Sequence, residues 1–143
     1  MKKIALLLIT LSASLFASSL IEVESKYGVN KTVANIKAAI ASKKGVSVFN
    51  IVDHKRNAQS VGLNMPQTQL VVFGNPNAGT ALMKINPLMA YELPMKILVS
   101  HKNGKTYMTY RDPSWLSKTY HLEKSPIIGK MTKMMKFLTS SSK

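Results

Sequence analysis

Residues 66–83 read PQTQLVVFGNPNAGTALM, and they pass from strand chemistry to helix chemistry through a single break. Leu70, Val71, Val72 and Phe73 are β-branched, aromatic or aliphatic and too few for a helix, so they read as a buried strand. Gly74-Asn75-Pro76-Asn77 ends it, because Gly and Pro punctuate a chain and Asn tolerates turn conformations. Gly79-Thr80 follows, and Ala81-Leu82-Met83-Lys84 opens a helix. The unit is strand, tight loop, helix. As a phosphate cradle the loop is incomplete. Four residues separate Gly74 from Gly79, but Thr80 stands where a Walker loop requires Lys, and Gly74 lacks the glycine two positions on that a dinucleotide fingerprint needs. Two readings of the loop remain: a turn with a helix cap, or a helix start whose free N–H groups near Gly79 and Thr80 receive an anion.

These residues also carry a resemblance. Gln69 to Pro76, with Gly79-Thr80 and Leu82-Met83, resembles the signature of the domain-of-unknown-function 302 family. Asp53-His54 with Ala58 and Gly62 agrees upstream. Asn86-Pro87, the run Leu93-Pro94-Met95-Lys96-Ile97-Leu98-Val99, and Tyr110-Arg111-Asp112-Pro113 agree downstream. The resemblance covers about residues 27–122. It implies a small α/β domain that pairs as a dimer, and it brings no established activity, so no catalytic residue is carried over.

The chain has 143 residues, enough for one domain with a real core. It has no cysteine, which excludes disulfides, thiol nucleophiles, iron–sulfur clusters and cysteine zinc sites. Met1-Lys2-Lys3, the apolar run 4–16 and the small residues Ala17-Ser18-Ser19 follow the grammar of a secretory signal peptide. The run is short for a bilayer span. Cleavage after Ala17 or Ser19 is expected, with residues 1–19 as the signal segment, a domain over 20–125, and a basic amphipathic helix and tail over 126–143. The expected location is periplasmic or secreted. With Lys2 and Lys3 gone, 18 basic residues stand against 6 acidic ones, a net charge of +12. In an exported protein that charge suits an anionic small molecule or an anionic envelope surface better than nucleic acid. It also serves plain solubility.

In chain order, residues 18–28 predict a first strand and Asn30 a helix N-cap. Val33, Ile36 and Ile40 make a helical stripe that Gly45 ends. Residues 46–52, VSVFNIV, are apolar on both faces and predict a strand central to the sheet. Asp53 caps a short helix over 55–61. Residues 86–94 form a Pro-bounded apolar connection, and Pro94 opens a strand over 95–100. Asn103-Gly104 predicts a hairpin. Asp112-Pro113 starts a helix holding Trp115, Leu116, Thr119 and Tyr120. The tail helix gathers Ile127, Ile128, Met131, Met134, Met135 and Leu138 on one side, and residues 139–143 are expected to fray. The fold class is α+β, a mainly antiparallel sheet with several short helices.

For chemistry, His54, His101 and His121 lack the paired spacing of a zinc site. The nine methionines are explained as flexible apolar filler, although thioethers also suit Cu(I). No metal or cofactor is expected. Asp53, His54, Asn75, Gly79, Thr80, Tyr110 and Arg111 all fall at element ends and are the candidate ligand-binding residues. They would belong to a non-enzymatic binding or sensing module for a small anionic or polar ligand. The alternatives are a small enzyme at the same cluster, or a structural protein that uses its basic C-terminal helix. A homodimer is expected from the apolar connection and the methionine-rich tail.

Overall fold

The structure is a computed structural model that describes residues 19–143. The expected signal segment therefore lies outside the described residues, apart from Ser19. Eleven elements follow in order: β1 (Leu20–Ser25), α1 (Val29–Ala41), β2 (Ser47–Asp53), α2 (His54–Ser60), β3 (Thr68–Gly74), α3 (Pro76–Ile85), α4 (Met89–Glu92), β4 (Met95–Lys102), β5 (Lys105–Arg111), α5 (Pro113–Thr119) and α6 (Pro126–Ser140). The five strands form one sheet in the order β1-β5-β4-β3-β2, antiparallel throughout. This is the expected α+β class. The Asn103-Gly104 turn has positive φ at both residues, 50° and 76°, as a two-residue hairpin of matching twist requires.

Alternation along the strands gives the sheet one covered face. Val71 and Phe73 of β3, Ile97 and Val99 of β4, and Met108 and Tyr110 of β5 are buried there. Val29, Val33, Ile36 and Ile40 of α1 and Met135 and Leu138 of α6 complete that core. A second cluster sits beside it, where Leu82, Met89, Leu116, Leu122 and Met131 bring α3, α4, α5 and α6 together. Leu70, Val72 and Leu98 lie on the opposite, half-exposed face.

Four local expectations are corrected. Helix α1 begins at Val29 after Gly28 and has no side-chain cap. Asn30 lies inside it and accepts from Gln69 Nε2 at 3.0 Å instead. Strand β2 is an edge strand, not a central one. Its register shifts between Val48 and Asn50, and Phe49 turns outward, half exposed, over Gly74. The second apolar face of β2 is thus spent on the neighbouring loop and not on a further layer. The apolar connection contains a single helical turn, α4, which buries Met89 and leaves Leu88 and Tyr91 exposed. The C-terminus is stitched down rather than frayed: Lys26 N–H donates to the Ser142 carbonyl at 2.9 Å, and Asn35 Nδ2 donates to Ser141 O at 3.2 Å and Ser142 Oγ at 3.1 Å. Ser142 and Thr139 are buried. Helix α6 is therefore part of the domain's core, its apolar side used within the chain.

Candidate functional site

The loop after β3 is built by Asn75. Its side-chain oxygen accepts from Asn77 N–H at 2.9 Å and Ala78 N–H at 3.2 Å, so it caps α3, and Pro76 occupies the first turn where no donor is needed. The helix starts earlier than the sequence suggested. Gly79 N–H already donates to Asn75 O at 2.9 Å, so Gly79 and Thr80 are not the free helix start that an anion cradle requires. Gly74 has no positive φ. Its role is close approach: a Cβ there would stand 3.3 Å from Phe49 Cε2 and 3.8 Å from Pro94 Cβ.

That loop forms one wall of a cavity of about 580 Å³ between the end of the sheet, α3 and α6. Phe49, Phe73, Met83, Leu93, Met95, Met131 and Met134 give it an apolar, methionine-rich lining. Asn75, Gly79 and Thr80 line it too. Lys44 and Lys130, both exposed, are the charged residues of the lining; no carboxylate and no histidine belongs to it. Its volume falls in the range of small-molecule sites.

A second cavity of about 190 Å³ adjoins it, with Leu93, Met95 and Met131 lining both. Tyr110 and Arg111 belong here. Glu92 is central: its side chain is 9% exposed, and it takes Tyr120 Oη at 2.9 Å on one oxygen and Arg111 Nε at 3.4 Å on the other. Arg111 also donates to Ser19 Oγ and lies over the Trp115 ring, 4.7 Å from its centroid. Trp115 in turn meets Tyr120 edge-on. Lys96 Nζ donates to the Glu92 and Pro94 carbonyls at 2.8 and 2.9 Å, across a cis Leu93–Pro94 bond. Burial lowers the Lys96 pKa, the Glu92 charge opposes that shift, and Arg111 reinforces it. Burial also raises the Tyr120 phenol, helped by its hydrogen bond to Glu92.

Of this cluster Arg111 is among the candidate ligand-binding residues that the sequence offers, whereas Glu92, Lys96, Trp115 and Tyr120 are not. The available signal was weak: Glu92 lies close to Lys96 along the chain, and the chain has six acidic residues in all, so a carboxylate beside Leu93-Pro94 warranted a partner. Asp53 and His54 stand apart from both cavities, and the single rim expected to join them to Arg111 and Gly79 does not form. Asp53 pairs with Gln69, whereas Gly74, at the other end of β3, pairs with Ser47. At the rise of an antiparallel strand the two ends are roughly 17 Å apart. Asp53 caps α2 through Arg56 N–H at 3.0 Å and takes Gln69 Nε2 at 3.4 Å. Among the described residues no three of His, Asp and Glu gather where one cation could be held.

A five-stranded antiparallel sheet with helices on one face and two adjoining cavities at one end defines a small α+β domain. The sequence matches the family described as "Domain of unknown function DUF302" over residues 21–138, and the chain belongs to that family. The match runs into α6, in keeping with that helix's place in the core. The fold is similar to that of a crystal structure described as an uncharacterized conserved DUF302 protein from Bacillus stearothermophilus, with a TM-score of 0.73, 20% identity, and coverage of 89% of this chain and all of that one. Two curated relatives carry the name "Fluoride-specific ion channel FluC 1", from Brucella suis biovar 1 (strain 1330) and Brucella abortus biovar 1 (strain 9-941). Each is 39% identical over 111 residues, 77% of this chain. The chain spans 43% and 41% of their lengths, less than half. Among the described residues no helix is long and apolar enough to cross a membrane.

Proposed function

We propose that this domain is a binding module for an amphipathic organic anion, held in the 580 Å³ cavity with its apolar body among the methionines and its charge at Lys44 and Lys130. One observation carries the reading: a chamber walled by apolar side chains has two lysines as its charged lining and no acid to neutralise them. Thioether side chains are flexible and polarisable, which suits a site that accepts more than one shape. The absence of carboxylate and imidazole from the lining favours binding over acid–base turnover. This sharpens the expected anionic or polar ligand to one with a substantial apolar part. In the Brucella relatives the shared segment makes up under half of the protein, which fits a module joined to another activity. Fluoride, the ion in their names, has no use for an apolar chamber of this size. The basic start and apolar run before residue 17 support export. The exposed Ile85, Leu88 and Tyr91 support pairing with a second copy.

Sodium dodecanoate tests the reading, with thermal unfolding and calorimetric titration as readouts. Binding at one site per chain is expected, with a raised melting temperature. Gly79→Leu, which builds from a helical glycine toward Leu93 3.7 Å away, should remove binding while keeping the fold. Lys44→Met with Lys130→Met should weaken dodecanoate far more than the neutral dodecanol, and sodium fluoride should give no shift. Dodecanoate binding undiminished in Gly79→Leu, or no binding at all, overturns the proposal.

A further inference from the structure

The smaller cavity has an electrostatic imbalance that the first reading does not use. Glu92 is one carboxylate facing two cations, Lys96 and Arg111. Both cations have donors to spare. A lysine ammonium carries three N–H groups and Lys96 places two contacts on carbonyl oxygens. A guanidinium carries five, of which the structure assigns one to Glu92 and one to Ser19. The Arg111 guanidinium carbon lies 4.7 Å from the Trp115 ring centroid, a contact that helps hold the cation in place. Leu20, Leu70 and Leu98 supply apolar wall on the half-exposed side of the sheet. The volume, about 190 Å³, holds a few carbons or one ring and no more.

We propose that this cavity is a second ligand site, specific for a small organic monocarboxylate, whose carboxylate bridges Arg111 and Lys96 while its apolar part lies against Leu70 and Leu98. The forked guanidinium matches a planar carboxylate with two parallel hydrogen bonds. A single excess positive charge selects a monoanion over a dianion. The lowered Lys96 pKa agrees with this, since an ammonium that burial disfavours gains most from an added counter-charge. The proposal does not depend on the larger cavity being occupied.

Sodium benzoate is the probe, titrated calorimetrically and by backbone amide NMR shifts, with sodium chloride at equal ionic strength as the control. One benzoate per chain is expected, with amide shifts centred on β5 and the start of β4. Arg111→Gln should weaken it at least tenfold, and the double variant Lys44→Met, Lys130→Met should leave it unchanged. If Arg111→Gln does not fold, Leu98→Trp decides, because it fills the cavity from the half-exposed face and should abolish binding. Failure of benzoate to bind, shifts matched by chloride, or equal affinity in Leu98→Trp overturns the proposal. So does a loss confined to the Lys44/Lys130 variant, which would place benzoate in the larger cavity instead.

Discussion

Leu138→Ala tests whether α6 belongs to the core or is a basic appendage available to outside partners. Leu138 is 0% exposed, in the same cluster as Val33, Ile36 and Met135. Truncating a fully buried leucine removes its transfer free energy and leaves a cavity, a loss of 2–5 kcal/mol in comparable sites, so about 3 kcal/mol here. For a domain of this size each kcal/mol moves the melting temperature by about 4 °C, which makes the expected drop about 12 °C. Urea unfolding should show the lower midpoint with an unchanged slope. Lys133→Gln and Lys136→Gln, on the exposed side of the same helix, should each stay within about 0.5 kcal/mol of wild type. A Leu138→Ala drop under about 2 °C would mean that α6 is not seated as described, and the refutation would extend to the wall it gives both cavities.

Gly74→Val should cost about 1–3 kcal/mol in chemical denaturation, because branched carbons must enter a gap that already places a Cβ 3.3 Å from Phe49; a variant that unfolds like wild type removes the close-approach argument. The Lys96 prediction concerns pH. Burial holds the folded-state pKa of Lys96 below its ordinary 10.5, so between the folded value and 10.5 the unfolded chain binds a proton that the folded chain has released. Stability contributed by this group therefore rises with pH across that window. Wild type should gain on Lys96→Met as the pH is raised toward 10, and a constant difference between the two would show that Lys96 is not desolvated.

Local chemistry made the elements legible. The run Leu70 to Phe73, the Asn103-Gly104 turn, and the caps Asp53 and Asp112 each act within a few residues, and each stands where it was expected. Asn75 shows the limit of that approach. A Gly-Asn-Pro break is visible in the sequence, but the asparagine's role as the cap of α3, one turn ahead of Gly79, depends on which rotamer reaches which N–H. The site was less legible still. Glu92, Arg111 and Tyr120 meet because α4, β5 and the end of α5 converge, a tertiary fact with no spacing signature. Asp53 and His54 were grouped with Arg111 because all three end strands. Direction settles which end: three successive antiparallel pairings separate β2 from β5, so the two strands run in opposite directions and finish at opposite ends of the sheet.

The sheet's first strand waits for its last. Ser25 pairs with Thr106 and Leu20 with Arg111, so β1 has no hydrogen-bonding neighbour until β5 has been synthesised, after every other strand. Hairpin β4–β5 is local and can form early, but closing β1 onto it carries the entropy of a very long loop. A nascent chain of this topology stays open at its N-terminal edge until β5 arrives, and its core closes only when α6 follows with Met135 and Leu138. The Ser142 bond to Lys26 then fastens the last residues against the end of that same first strand.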